Sequence, residues 1–256
     1  LHIVRTLKEM QIASVAVYSQ ADRSSLHVQL ADEAVCIGGN RAQESYLNMQ
    51  NVLSAALGTG CDAIHPGYGF LSENSQFAEM CEACGVTFIG PSSQVIALMG
   101  DKSQAKLSMQ AAEVPLIPGS DGPVESLTQA KQIASEIGYP VLLKAVAGGG
   151  GKGIRKVTSE AELNQLYPQA QAESAAAFGN QALYLEKIME NVKHIEVQIF
   201  RDHQGHGVYF PERDCSLQRF KQKVIEETPS VRLTPQERQK IGQIALKAAA
   251  NLDYVN

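Results

Sequence analysis

The chain has 256 residues, 44% of them hydrophobic, with 27 acidic and 22 basic side chains and a formal net charge of −5. That length carries one large or two modest cores. The acidic balance excludes the basic face of a nucleic-acid binder, and no apolar run approaches the length of a membrane span or a secretory signal.

The first ninety residues alternate helix and strand. Ile3, Val4, Leu7 and Met10 have helical spacing, and Ser14–Tyr18 is a β-rich run closed by polar residues. A strand is expected at Val35–Ile37, a helix across Ser45–Leu57, and a short strand at Ala63–His65. A helix near Asn74–Cys84 and a strand at Val86–Ile89 complete the segment. Strands alternating with helices predict a doubly wound α/β unit with a parallel sheet. The chain opens inside a helix where such a unit opens on a strand, so a preceding first strand is expected. Ser92 and Ser93 offer an N-cap for one helix running through Leu98 toward Met109. Pro115, Pro118, Gly119, Gly122 and Pro123 then punctuate the chain. Beyond them come a helix at 125–137, a strand at 141–146, a helix near 159–177 and a strand at 182–187. Antiparallel strands at 196–200 and 207–210 follow, and a capped helix runs from Thr234 to Leu252.

Five cysteines, at 36, 61, 81, 84 and 215, form no zinc or disulfide pattern. Cys81 and Cys84 lack a second pair and read as buried free thiols in a helix. His203 and His206 flank a glycine turn and read as a hairpin. Such cysteine usage fits a reduced, cytoplasmic protein.

The most informative stretch is Pro140-Val-Leu-Leu-Lys144-Ala-Val-Ala-Gly148-Gly-Gly150-Gly151-Lys-Gly153-Ile-Arg155-Lys156. Glycines let successive amide N–H groups line one concavity that suits phosphate oxygens. Four cations and no acid lie between 144 and 156. A dinucleotide fingerprint needs a helix straight after the loop, and a Walker loop needs Ser or Thr after the lysine. Here a strand follows, and Gly153 follows Lys152. What remains is strand, glycine loop, strand: a flap over a nucleotide triphosphate, or a bare hairpin tip.

Taken with His65-Pro-Gly-Tyr68-Gly69-Phe-Leu-Ser-Glu-Asn74, Leu98-Met-Gly-Asp-Lys102 and Pro118-Gly-Ser-Asp-Gly-Pro123, this flap identifies a resemblance. Glu186-Lys187, His194-Ile-Glu-Val-Gln198, Glu212-Arg-Asp-Cys-Ser216 and Gln222-Lys223 extend it over the whole chain. The chain resembles the biotin carboxylase component of biotin-dependent carboxylases, an ATP-grasp ligase, and is most similar to the bacterial acetyl-CoA carboxylase subunit. The resemblance implies an N-terminal α/β domain over 1–90 with its first strand missing. An ATP-grasp domain over 91–256, incomplete at its C-terminal end, would follow, with a lid at about 116–189. It also implies ATP and bicarbonate as substrates with Mg2+ or Mn2+, and carboxylation of biotin through carboxyphosphate. A biotin carboxyl carrier protein, a carboxyltransferase and a homodimer are implied as partners.

By the same resemblance, Lys102 and Lys144 hold ATP phosphates and Gly150 and Gly151 approach them. Glu186, Lys187, Ile188 and Met189 receive adenine on a hinge strand through backbone groups. His194 and Gln218 lie on the nucleotide side, Lys223 contacts bicarbonate, and Tyr68 and Gly69 face biotin. At 219–221 this chain reads Arg-Phe-Lys where the family carries a histidine near the ribose, so that role is not transferred to Lys221. The family's acidic metal ligands fall beyond residue 256, which leaves no metal ligand expected here and low activity expected of these residues alone. Two other readings stay open: a non-catalytic fragment that binds nucleotide or pairs with an intact subunit, and an ATP-grasp ligase joining a carboxylate to an amine.

Overall fold

The computed structural model describes residues 1–146, 153–220 and 222–256, apart from the side chains of Lys102 and Ser103. In chain order the elements begin α1 (His2–Glu9), β1 (Val15–Ser19), α2 (Leu26–Leu30), β2 (Glu33–Gly38) and α3 (Met49–Gly58). Next come β3 (Ala63–Ile64), α4 (Ser75–Ala83), β4 (Thr87–Phe88), α5 (Ser93–Gly100) and α6 (Lys102–Ala111). Then follow α7 (Leu127–Ile137), β5 (Val141–Ala145), β6 (Ile154–Val157), α8 (Glu160–Phe178) and β7 (Leu183–Lys187). The chain closes with β8 (Ile195–Glu196), β9 (Ile199–Arg201), β10 (Gly207–Tyr209), β11 (Arg213–Arg219), β12 (Gln222–Glu227) and α9 (Pro235–Asn251). Two compact units result. One is Leu1–Ala105 with Gln198–Phe210 and Gly242–Asn256; the other is Lys106–Val197 with Pro211–Ile241.

In the first unit β1 pairs with β2 and β3 with β4, both in parallel, as alternation of helix and strand predicts. The core gathers Leu53, Leu71, Phe77, Ala78, Cys81, Val86, Phe88 and Ile96. Phe77 meets Phe88 edge to face with ring centroids 6.1 Å apart, a favoured aromatic geometry. Burial of Cys81 pushes its thiol up to about 11, so it behaves as a small core residue. Cys84 is exposed at the end of α4, which corrects the expectation that both thiols are buried. The His203–His206 stretch is the turn of the β9–β10 hairpin. Asp202 closes that turn by accepting the backbone N–H groups of Gln204 and His206 at 2.9 and 2.8 Å.

In the second unit an antiparallel sheet of order β6-β5-β7 carries α7 and α8 on one face. Strand alternation decides which face. Val141, Leu143 and Ala145 of β5 are buried, as are Leu183 and Leu185 of β7 and Val157 of β6. They pack against Ala130, Ala134, Leu163 and Tyr167 of the helices. Leu142 and Lys144, with Tyr184 and Glu186, are left on the other face. The segment Pro118–Ser120 crosses β7 closely: Ser120 donates its N–H to the Leu185 carbonyl at 2.9 Å, and Lys187 donates to the Pro118 carbonyl at 2.7 Å. Only glycine fits at 119, because a Cβ there would sit 2.3 Å from the Leu185 carbonyl oxygen. A second sheet, β12-β11-β8, is antiparallel.

Two expectations are corrected. The helix expected to run from Ser92 toward Met109 is two helices. Asp101 is extended (φ −91°, ψ 111°) and closes α5. Its carboxylate accepts the Gln104 N–H at 3.0 Å and so caps α6, the N-cap use for which aspartate is suited. The strand expected at 196–200 is also divided. Ile195–Glu196 pairs with β11, whereas Ile199–Arg201 pairs with β10.

Candidate nucleotide and bicarbonate site

The flap is a hairpin, as its strand, loop, strand pattern predicts. β5 and β6 are antiparallel from Val141↔Val157 to Lys144↔Ile154, and Ala145 donates its N–H to the Gly153 carbonyl at 2.9 Å. Gly153 has φ +72°, and a Cβ there would lie 2.9 Å from that of Ala145, so glycine suits this corner. Gly150 and Gly151 lie outside the described residues, as does Lys221. The cationic field read from the sequence is tempered by acids from distant positions. Lys144 donates to Glu186 of β7, and Arg155 donates to Glu173 of α8. The Lys144 ammonium also lies 5.7 Å from the Tyr184 ring centroid.

Along and just beyond β7 the residues expected to form a hinge divide their contacts. Lys187 spends its ammonium on the carbonyls of Gly138 and Tyr139, at 2.8 and 3.0 Å. There it meets the C-terminal end of α7, where a cation complements the helix dipole. Ile188 donates its N–H to the Pro140 carbonyl at 3.2 Å, and Met189 is half exposed.

A second group assembles on β8, β11 and β12. Glu196 receives Lys223 on Oε2 and the Arg213 Nε at 2.6 Å on Oε1. The Lys223 hydrogen bond is the main cause that holds its carboxyl down to about 2, against desolvation, with Arg213 adding to it. Lys223 is raised in turn by Glu196, so both stay charged at neutral pH. His194 lies at the head of β8. Its N–H donates to Ser216 Oγ at 3.0 Å, its carbonyl accepts the Cys215 N–H at 2.8 Å, and its Nδ1 lies 2.6 Å from Gln218 Nε2.

Behind these residues runs a buried polar relay. Arg238 of α9 donates from Nε to both oxygens of Glu212 at 2.9 and 2.7 Å. Glu212 accepts the Ser230 N–H at 3.0 Å, Ser230 Oγ donates to Asp214 at 2.8 Å, and Asp214 accepts Ser216 Oγ at 2.5 Å. Burial alone would raise the Glu212 carboxyl, but Arg238 and backbone N–H groups outweigh it and hold it below the ordinary range. Sequence reasoning named Lys223 and His194 but gave no role to Glu196, although spacing of two from His194 was the available signal. Ser230 and Arg238 left no local signal, because their carboxylate partners lie far along the chain.

Lys102, Tyr68 and Gly69 belong to the other unit. Lys102 opens α6, and its side chain lies outside the described residues. Tyr68 is 96% exposed. Its loop is shaped by Gly67 and Gly69 at φ +66° and +74°, and Phe70 stacks on Tyr46 at 5.1 Å. Tyr46 is held in turn by Asp22 at 2.6 Å.

The nearest approach to a metal-binding set among the described residues is Glu196, Cys215 and Glu226, whose donor atoms lie within 4.8 Å of one another. It does not fit magnesium. Glu196 is already neutralised by two cations, and a buried thiol is a poor partner for a hard ion. No helix among the described residues is long and apolar enough to cross a membrane.

Residues 1–96 match the biotin carboxylase N-terminal domain, and residues 101–256 match the carbamoyl-phosphate synthase L chain ATP-binding domain. The chain is 53% identical over 254 residues to a biotin carboxylase of Nostoc sp., covering 99% of this chain and 57% of that protein. It is 52% identical over 255 residues to a chloroplastic biotin carboxylase of Populus trichocarpa, covering 100% of this chain and 48% of that one. The chain therefore spans about half the length of the curated relatives it matches. A solved structure with TM-score 0.83 and 49% identity covers 100% of this chain, which spans 56% of it. That structure is the biotin carboxylase domain dimer of Hydrogenobacter thermophilus 2-oxoglutarate carboxylase, in complex with MgADP, ADP and bicarbonate. With both domains matched in order and half its residues shared with proteins of that name, the chain belongs to the biotin carboxylase family of ATP-grasp ligases.

Proposed function

We propose that the whole protein to which these residues belong carries out the ATP- and bicarbonate-dependent carboxylation of biotin on a carrier protein, the first half-reaction of a biotin-dependent carboxylase. An oxygen of bicarbonate attacks the γ-phosphorus of ATP, ADP leaves, and the carboxyphosphate formed breaks down to phosphate and the CO2 that biotin's ureido nitrogen takes up as its N–H proton passes to that phosphate. The reading rests most on one observation: Lys144 and Lys223 lie in the same compact unit, and each is held by a carboxylate from another strand of its own sheet. Fixed ammonium groups of this kind suit charge that builds during phosphoryl transfer.

In this reading residues 1–90 form the N-terminal domain and 91–256 a partial ATP-grasp domain. Lys102, Lys144, Gly150 and Gly151 serve the phosphates, and Glu186 to Met189 the adenine. His194 and Gln218 serve the nucleotide side and Lys223 the bicarbonate, while Tyr68 and Gly69 face biotin. Acetyl-CoA carboxylase is the assembly we favour, in the cytoplasm, with a carrier protein, a carboxyltransferase and a second copy of the subunit as partners. Magnesium or manganese would offset the charge of the phosphates, and no step is assigned to it on the described residues.

Calorimetric titration with ATP, followed by assay of hydrolysis with bicarbonate plus free biotin and separately with amine acceptors, tests the proposal. Nucleotide binding is expected, with little or no carboxylation by residues 1–256 alone, because the donor set among the described residues does not fit the metal. Hydrolysis stimulated by an amine and indifferent to bicarbonate would reverse the reaction class.

A further inference from the structure

The orientation of one side-chain amide carries an inference about His194. Gln218 sits where the β11–β12 ladder slips, with register shifts between Asp214 and Leu217 and again between Leu217 and Gln218. Such irregularities re-aim side chains, and here the amide turns back over its own strand. Its Nε2 lies 2.9 Å from the Cys215 carbonyl oxygen. Only the NH2 end of an amide can face a carbonyl, so that contact settles which way the amide points. The same nitrogen lies 2.6 Å from His194 Nδ1. Its second hydrogen is therefore directed at Nδ1, which must accept it with a bare lone pair. A neutral imidazole carries one proton, so that proton resides on Nε2. Nε2 is 3.9 Å from Glu196 Oε2, too long for a hydrogen bond.

The backbone of His194 is held as well. Ser216 Oγ accepts its N–H at 3.0 Å while donating to Asp214 at 2.5 Å, and the Cys215 N–H donates to its carbonyl at 2.8 Å. The ring thus has a fixed origin as well as a fixed proton.

The geometry points to Gln218 as a positioning residue that holds His194 in its neutral Nε2–H form, so that the histidine presents a hydrogen-bond donor to an anionic or hydroxyl oxygen of the nucleotide. This rests on the nucleotide-side reading of His194. It also gives Gln218 a purpose that it fulfils before any ligand arrives.

Nitrogen-15 NMR of the histidine rings in the 256-residue protein tests it, at a pH about 2 units above the ordinary histidine value of about 6.5. The His194→Ala variant identifies the resonances of this ring. The expected spectrum of the unliganded protein has an unprotonated Nδ1 and a protonated Nε2. In Gln218→Glu the new carboxylate can only accept, and the proton is expected to move to Nδ1. In Gln218→Asn the shorter amide falls short of the ring, and a mixture of both forms is expected. A protonated Nδ1 in the native protein, or a Gln218→Glu spectrum identical to the native one, would overturn the inference. Addition of ATP to the same sample separates the two readings. A native Nε2–H form that ATP leaves untouched would sink the nucleotide-side role while leaving the tautomer standing.

Discussion

Glu196 meets two cations from the other two strands of its sheet with one carboxylate, and that geometry has a thermodynamic consequence. Its pKa is held at about 2, against an ordinary value of 4.5. A carboxyl depressed on folding adds stability that is present above the unfolded value and is lost as pH falls toward the folded one. The window is therefore about pH 4.5 down to 2. A shift of this size converts to about 3 kcal/mol at full weight, and solvent reaching the partly exposed partners reduces that to about 1–2 kcal/mol. In Glu196→Gln the amide does not titrate, so urea midpoints measured across that window should fall less steeply than those of the native protein. Equal slopes would show that the ion pairs contribute nothing to folding. Legibility at this scale follows chain distance. Lys144 and Lys223 were readable because each ends or sits in a local motif. Their carboxylates were not, because Glu186 lies 42 residues from Lys144 and Glu196 lies 27 residues from Lys223, and only strand register brings them together.

Among elements, the sheet β6-β5-β7 shows what patterning conveys and where it stops. The alternation in Val141–Ala145 and Leu183–Lys187 is a period-two signal, and both strands were legible to within a residue. To within two residues so were α7 and α8, whose Ser126 and Ser159 caps accept the N–H of Gln129 and Glu162. The division between α5 and α6 was not, because Asp101 breaks a run whose apolar spacing continues through it. The close crossing at Gly119 was likewise hidden among the glycines and prolines of an apparent linker. That crossing gives a sharp prediction. Gly119→Ala places a methyl against the Leu185 carbonyl and must push the segment off β7, at a cost of about 1–3 kcal/mol by the usual range for overpacking. Gly122, where an added Cβ meets nothing within 4 Å, is the control: Gly122→Ala should stay within about 0.5 kcal/mol of the native protein. Chemical denaturation of the two variants decides it, and equal midpoints would show that the crossing tolerates a side chain.

On the scale of the whole molecule, nucleotide binding and folding share one free energy. A ligand that binds only the folded state at about 100 times its Kd adds about 2.7 kcal/mol. For a chain of this length each kcal/mol raises Tm by about 2–4 °C, so saturating ATP should lift the melting transition by roughly 5–10 °C. Two lysines on the same sheet then separate ligand contact from scaffold. The Lys144 ammonium faces away from the helix-covered core beside Glu186, where a phosphate would compete for it. The Lys187 ammonium is committed to the Gly138 and Tyr139 carbonyls. Lys144→Ala should therefore melt near the native temperature without ATP and show little or no rise with it. Lys187→Ala should start lower, because the end of α7 loses its cation, yet keep most of the rise. If Lys144→Ala kept the full ATP-induced rise, the phosphates would have to bind elsewhere, and the flap hairpin would lose its place in the site.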